Sequence, residues 1–180
     1  MQFWKILQSR YLVKHPIVSI RQDTCELPNG RVLDDYYVVE ENDVAVVFAL
    51  TEDQQVVMVE QYKHGIQETC MELPGGYLDS RTEDPAEAAR RELLEETGYM
   101  VGELTLLGAF VNQPTRCNNR TYTYFATEAR RVTEQNLDDN ENIHIRLVAL
   151  ADLPAYIRSG RINVALSIAG IYMALDKLRV

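Results

Sequence analysis

Cysteine is scarce in this chain of 180 residues. There are three, Cys25, Cys70 and Cys117, an odd number without the paired spacing of a zinc site or a disulfide framework. A stapled secreted scaffold is thereby excluded, and a reducing cytoplasm is the expected setting. Basic residues are in deficit as well: 18 Lys and Arg face 27 Asp and Glu, a formal net charge of -9. That balance argues against general attachment to nucleic acid or to an anionic membrane surface. No apolar run is long enough to cross a bilayer. The longest, Val164 to Leu175, is interrupted by Ser167 and reads as a buried helix. The opening Met1-Gln2-Phe3-Trp4-Lys5 lacks the basic and apolar regions of a secretion signal, so none is expected. What remains, 46% hydrophobic and 25% charged, is an ordinary folded chain with length enough for a core.

The first forty residues read as antiparallel sheet, with Val18 to Arg21 and Val32 to Val39 flanking Asn29-Gly30, a dipeptide suited to a hairpin turn. From Asp43 onward, Val44 to Leu50 and Val56 to Tyr62 are β-branched-rich runs separated by Thr51-Glu52-Asp53-Gln54, which suggests a second hairpin. Leu104 to Val111, Thr121 to Ala126 and Ile143 to Leu150 read as further strands. Helices are expected over Leu153 to Ser159 and Asn163 to Leu178. Strands and helices interleave, so the expected fold class is a layered α/β domain with a mixed sheet. Tyr122 and Tyr124 alternate on one strand face, where core packing outweighs a stacking role.

The best-punctuated segment is a helix from Pro85 to Thr97. Asp84 suits the N-cap, Pro85 the first helical position, Glu87 a capping box, and Gly98 the left-handed residue that ends it. On this helix Glu92, Glu95 and Glu96 stand three and four residues apart, so their carboxylates crowd toward one side. Like charges so placed cost a helix a few tenths of a kcal/mol per pair, roughly. A solvated charged face is one reading of them. A set of hard oxygen ligands for Mg²⁺ or Mn²⁺ is the other, since a cation reverses the local electrostatics. Arg91 can hold a carboxylate in place through its planar fork.

The order of residues decides between these readings. Gly76, Glu83, then Arg91-Glu92-Leu93-Leu94-Glu95-Glu96-Thr97-Gly98-Tyr99 resembles the Nudix box: Gly, five residues, Glu, seven residues, then Arg-Glu-apolar-any-Glu-Glu-any-Gly-apolar. Glu83, Arg91, Glu92, Glu95, Glu96 and Gly98 fill six of its fixed places, which chance would supply about once in 10⁵ chains of this length. One departure stands out. Six residues, not five, separate Gly76 from Glu83, and the extra one falls within Asp79-Ser80-Arg81-Thr82, leaving the helical carboxylates in register.

The resemblance implies an α/β/α sandwich with a mixed sheet over residues 43–180, preceded by an N-terminal antiparallel β extension over residues 1–42. It implies hydrolysis of a nucleoside diphosphate linked to another group, with Mg²⁺ or Mn²⁺. Glu92 and Glu96 would be metal ligands, Glu95 a further ligand or water-orienting group, and the Gly75 carbonyl part of the coordination. Gly76, Glu83 and Arg91 would support them. For the general base, His15, His64 and His144 lie in no motif and read as structural. The acidic run Leu137 to Ile143 is similar to the late acidic loop of the ADP-ribose pyrophosphatase branch, with Glu141 the first choice and Asp139 the second.

That same branch is suggested by the N-terminal extension, by Glu60-Gln61-Tyr62-Lys63, by Glu72-Leu73-Pro74-Gly75-Gly76, by Pro114 and by the segment Leu153 to Ile162. Its members are commonly homodimers whose N-terminal strands help build the partner's site, and residues 1–42 are the expected dimerisation segment. Lys63 stands where the branch often has Arg, and Gln113-Pro114-Thr115-Arg116-Cys117-Asn118-Asn119-Arg120 replaces its usual loop. Lys63, Pro114, Arg116, Asn119 and Arg120 are therefore the substrate-binding candidates, with a plain surface loop as the alternative for the last four. The expectation is cleavage of ADP-ribose or a related nucleotide sugar, with no nucleic acid or membrane partner. A dinucleoside polyphosphate, an oxidised nucleotide or a coenzyme is the alternative substrate class. A sensing module that binds without cleaving is the non-enzyme alternative.

Overall fold

A computed structural model describes residues 2–79 and 82–179. Ser80 and Arg81, within the segment that carries the extra box residue, lie outside the described residues. The chain forms two compact units, the first comprising the chain up to Asp43 together with Val111–Arg120, the second Val44–Phe110 and Thr121 onward.

The first unit holds a three-stranded antiparallel sheet of β1 (Lys5–Lys14), β2 (Ser19–Glu26) and β3 (Val32–Glu40), in that spatial order. Asn29 and Gly30 lie in the β2–β3 turn, with Gly30 at φ 81° and its N–H on the Leu27 carbonyl at 2.9 Å. Charge is buried in this small sheet. Asp23 is 2% exposed. It takes both arms of the Arg21 fork at 2.8 and 2.9 Å and the Ser9 hydroxyl at 2.7 Å. Arg21 also pairs with Glu40, which accepts from the Tyr11 hydroxyl at 2.9 Å. The segment Val111–Arg120 is fastened to β3: Val39 N–H donates to the Arg116 carbonyl at 2.7 Å and the Tyr36 hydroxyl to Thr115 O at 2.5 Å.

The second unit is built on β4 (Val44–Ala49), β5 (Gln55–Lys63), β6 (Glu68–Glu72), β7 (Gly75–Tyr77), helix α1 (Pro85–Thr97), β8 (Tyr99–Met100), β9 (Thr105–Val111), β10 (Arg120–Ala126), β11 (Arg130–Arg131), β12 (Ile143–Ala149), α2 (Leu153–Arg158) and α3 (Ala165–Lys177). One sheet runs β7-β4-β10-β9 and is mixed, β4 being parallel to β10 and antiparallel to β7. A second, antiparallel sheet runs β12-β5-β6. The expected hairpin of β4 and β5 is corrected here. Their turn forms, with Thr51 N–H on the Gln55 carbonyl, but after a single bridge at Leu50 and Val56 the strands part into different sheets.

The reason lies in the burial of both faces. Along β4, Val46 and Phe48 pack with Ile162 and Ile171 on the α2 and α3 side, while Ala45, Val47 and Ala49 pack with Ala88, Ala89 and Leu93 of α1. A strand covered on both faces is a central strand, and a three-layer α/β/α arrangement follows. Tyr122 and Tyr124 belong to the α1-side cluster, as core residues. Leu93 is 1% exposed, and truncating such a side chain to Ala costs about 2–5 kcal/mol.

Candidate active site

Helix α1 begins and ends where its local chemistry dictates. The Asp84 carboxylate accepts from Ala86 N–H at 2.7 Å, Pro85 fills the first turn, and Gly98 at φ 71° closes the helix with its N–H on Leu94 O at 2.8 Å. Glu87 pairs with Arg90 at 3.7 Å rather than reaching back to the cap. These ends fix the helical phase. Glu92, Glu95 and Glu96 consequently line one cavity of about 640 Å³, bounded by β4 to β7, the acidic loop before β12 and the start of α3.

Arg91 organises the carboxylates. Its Nη1 reaches Glu92 at 2.8 Å and Glu95 at 3.2 Å, its Nε reaches Glu83 at 3.2 Å, and its Nη2 donates to the Tyr77 carbonyl at 3.2 Å. Burial opposes the charge on Arg91, but Glu83 and Glu92 outweigh it and hold the guanidinium firmly protonated. Burial would raise Glu83, yet the Asp79 N–H at 2.5 Å and Arg91 bring it below its ordinary value. Glu83 is thus turned to Arg91.

The remaining carboxylates respond differently. Burial pushes the Glu92 carboxyl up; Arg91 pulls it back, and the charges of Glu95 and Glu141 add to the rise. Burial pushes Glu96 up to about 8, against the Gly75 N–H that donates to it at 2.8 Å. Two anions raised in this way form a site short of positive charge, and their hard oxygen donors suit a divalent cation. Gly76 supplies the room: a Cβ there would stand 2.6 Å from the Glu92 carboxylate. Among the described residues no three Asp, Glu, His or Cys side chains converge tightly enough to hold one ion together, and Arg91 occupies Glu92 and Glu95 instead.

Facing α1, Lys63 pairs with Glu72 at 2.5 Å, and Gln61 donates to the same Glu72 oxygen at 3.0 Å. Gln61 and Lys63 alternate along β5 and so share a face. Glu72 opens the Glu72-Leu73-Pro74-Gly75-Gly76 stretch, and its partnership with Lys63 and Gln61 shows only in the fold. The buried Ser167 of α3 accepts the Leu73 N–H at 3.0 Å and so fixes the segment leading to Gly75. From the acidic loop, Asn136, Asp138 and Glu141 line the cavity, and Asp139 is not among the lining residues.

Pro114, Arg116, Asn119 and Arg120 belong to the first unit. There Asn119 is buried with its amide on the Asn42 carbonyl at 3.2 Å, and Arg120 N–H donates to Asp43 at 2.8 Å. Another cleft, of about 550 Å³ beside Thr51, Met100 and Arg130, contains none of the box carboxylates.

Comparison with known proteins adds an independent line. The sequence matches the profile of the NUDIX domain over residues 41–166 and that of the nucleoside diphosphate sugar hydrolase N-terminal domain over residues 4–39. It is 30% identical over 156 residues to an ADP-ribose pyrophosphatase of Bacillus subtilis (strain 168), covering 86% of this chain and 83% of that protein. It is 29% identical over 175 residues to a methanol dehydrogenase activator of Bacillus methanolicus, covering 96% and 94% respectively. The crystal structure of an ADP compounds hydrolase shares the fold with a TM-score of 0.85 over 99% of this chain and 96% of that one, at 18% identity.

Proposed function

The chain belongs to the Nudix family, and on that footing we propose that it hydrolyses the diphosphate of ADP-ribose or a related nucleotide sugar to AMP and a sugar phosphate. Nudix hydrolases generally depend on a divalent metal; Mg²⁺, or Mn²⁺ in its place, is the cation proposed here. The observation that carries the reading is the convergence on one cavity of Glu92, Glu95 and Glu96, the Lys63–Glu72 pair and Glu141.

Glu92 and Glu96, with Glu95 and the Gly75 carbonyl, would hold the cation. When bound, it offsets the diphosphate charge and lowers the pKa of the attacking water. Arg91 keeps Glu83, Glu92 and Glu95 at fixed spacing. Lys63, steadied by Glu72, is the side chain for a phosphate oxygen; Pro114, Arg116, Asn119 and Arg120 are substrate candidates on the sequence resemblance alone, and none of them lines this cavity. Glu141 takes the proton of the water, ahead of Asp139 as the second candidate. One phosphorus–oxygen bond of the bridge breaks as the water oxygen bonds to phosphorus, and both products leave as monoesters.

A homodimer in the cytoplasm completes the proposal. Strand β1 is exposed along its whole length and carries Ile6, Leu7, Tyr11, Leu12 and Val13 about half exposed, a surface suited to a second copy. Light scattering of the purified chain tests it.

The decisive experiment is product identification by mass after incubation with ADP-ribose, ADP-glucose, GDP-mannose and diadenosine polyphosphates, with Mg²⁺ or with EDTA. AMP and ribose 5-phosphate formed from ADP-ribose with Mg²⁺ alone support the proposal. Turnover restricted to another compound moves the substrate class, and no turnover of any compound overturns the enzyme reading.

A further inference from the structure

The acidic loop that brings Glu141 to the cavity has no regular structure of its own, so something must hold it. The helix C-terminus provides half of the answer. The last carbonyls of α1 have no partner within the helix. Leu94 O receives Gly98 N–H, Glu95 O receives Asn136 N–H at 2.9 Å, and Glu96 O receives the Gln135 side-chain amide at 2.6 Å. The two carbonyls met by this segment therefore belong to two of the carboxylate-bearing residues.

The second N–H of the same Gln135 amide donates to the Ile143 carbonyl at 3.1 Å, at the first residue of β12. One side chain thus ties the end of the carboxylate helix to the strand at which the loop lands. Residues 136–142 lie between those anchors and carry Asp138 and Glu141, which brace each other: Glu141 N–H donates to Asp138 O at 2.9 Å and Asp138 N–H to the Glu141 carboxylate at 3.1 Å. The Glu141 charge is felt at Glu92.

We infer that Gln135 is a positioning residue, a two-donor clamp that sets where the Glu141 carboxylate stands relative to Glu92 and Glu96. Its catalytic side rests on the hydrolase reading above. Only a primary amide supplies both protons from one nitrogen at this length. A carboxylate of the same shape would put an acceptor against two carbonyl oxygens, and Asn is one methylene too short.

The test has two arms on the full chain. Hydrogen exchange measured by mass on Gln135→Ala and Gln135→Glu reads the clamp without any turnover. The expected result is about tenfold faster exchange in 137–142, with the first three turns of α1 unchanged. Exchange equal to wild type overturns the clamp. Steady-state kinetics on Gln135→Ala, Glu141→Ala and the double variant read the catalytic consequence, at a temperature where all are folded. The expected loss in kcat for Gln135→Ala is about tenfold or more, with KM little changed. In the Glu141→Ala background the Gln135 change should cost little further, because the group it positions is gone. Losses that multiply, or an unchanged kcat, overturn the assignment. Absence of wild-type turnover counts against the hydrolase reading, and the exchange arm then decides the clamp by itself.

Discussion

A methyl group on the Cα of Gly76 would lie 2.6 Å from the carboxyl carbon and both oxygens of Glu92, so the two residues cannot both keep their places if Gly76 gains a side chain. The obstacle is the free end of a flexible chain, and Gly76 has no left-handed backbone to protect. Gly76→Ala should therefore fold normally and lose metal-dependent turnover by about two orders of magnitude, through displacement of a ligand. Gly75→Ala differs in kind. At φ 152° its Cβ would meet the backbone of Ala45 at 2.2 Å and of Val46 at 2.7 Å, so a loss of about 3 kcal/mol or more in stability is expected. Denaturant unfolding and activity, measured on both variants, separate the two effects.

Glu96→Gln keeps an acceptor for the Gly75 N–H and removes the charge. Turnover should fall at least about 10²-fold with the fold intact. A pH signature accompanies it. With its pKa raised to about 8, Glu96 favours the folded state in its neutral form, so that stability is present below the ordinary carboxylate pKa and is lost as pH rises through about 8. Thermal melts of the metal-free chain between pH 5 and 9 should show this loss in wild type and a smaller one in Glu96→Gln, where Glu92 alone remains raised.

Glu141→Gln should lower kcat by roughly 10²–10⁴, the usual worth of a general base. Asp139→Asn should leave kcat close to wild type. The reverse pattern transfers the role to Asp139.

In the first unit the sign of the pH effect is opposite. The Arg21 fork holds the Asp23 carboxyl below its ordinary value despite burial. Its contribution is present above the ordinary carboxylate pKa and disappears as pH falls through the lowered one. Asp23→Asn leaves Arg21 with Glu40 as its remaining carboxylate and should cost about 1–3 kcal/mol, the penalty for weakening a part-buried charged hydrogen-bond pair. Urea unfolding at pH 7 and pH 3 measures it; equal losses at both would contradict the assignment.

Where the chain's chemistry is local, the sequence is a sufficient guide. Asp84, Pro85 and Gly98 mark both ends of α1 because caps act on neighbouring backbone groups, and the helical phase then puts Glu92, Glu95 and Glu96 together. Partner choice between strands is not local. The turn after Leu50 is readable, but the separation of β4 and β5 depends on the helices that cover both faces of β4. Glu72 and Gln135 escape a linear reading for the same reason: each acts on groups that only the fold brings near. Within the acidic run, alternation in a loop carries no fixed period, so Asp138 rather than Asp139 lining the cavity is a matter of backbone path.

The bond from Leu73 N–H to Ser167 ties the segment that leads into Gly75 to a helix translated more than ninety residues later. A polypeptide still on the ribosome, or one clipped by a protease ahead of α3, lacks this acceptor and holds the glycine pair only through β4 and Glu96. An order of assembly follows: the segment before the glycine pair gains this bond only once α3 has been made and has docked.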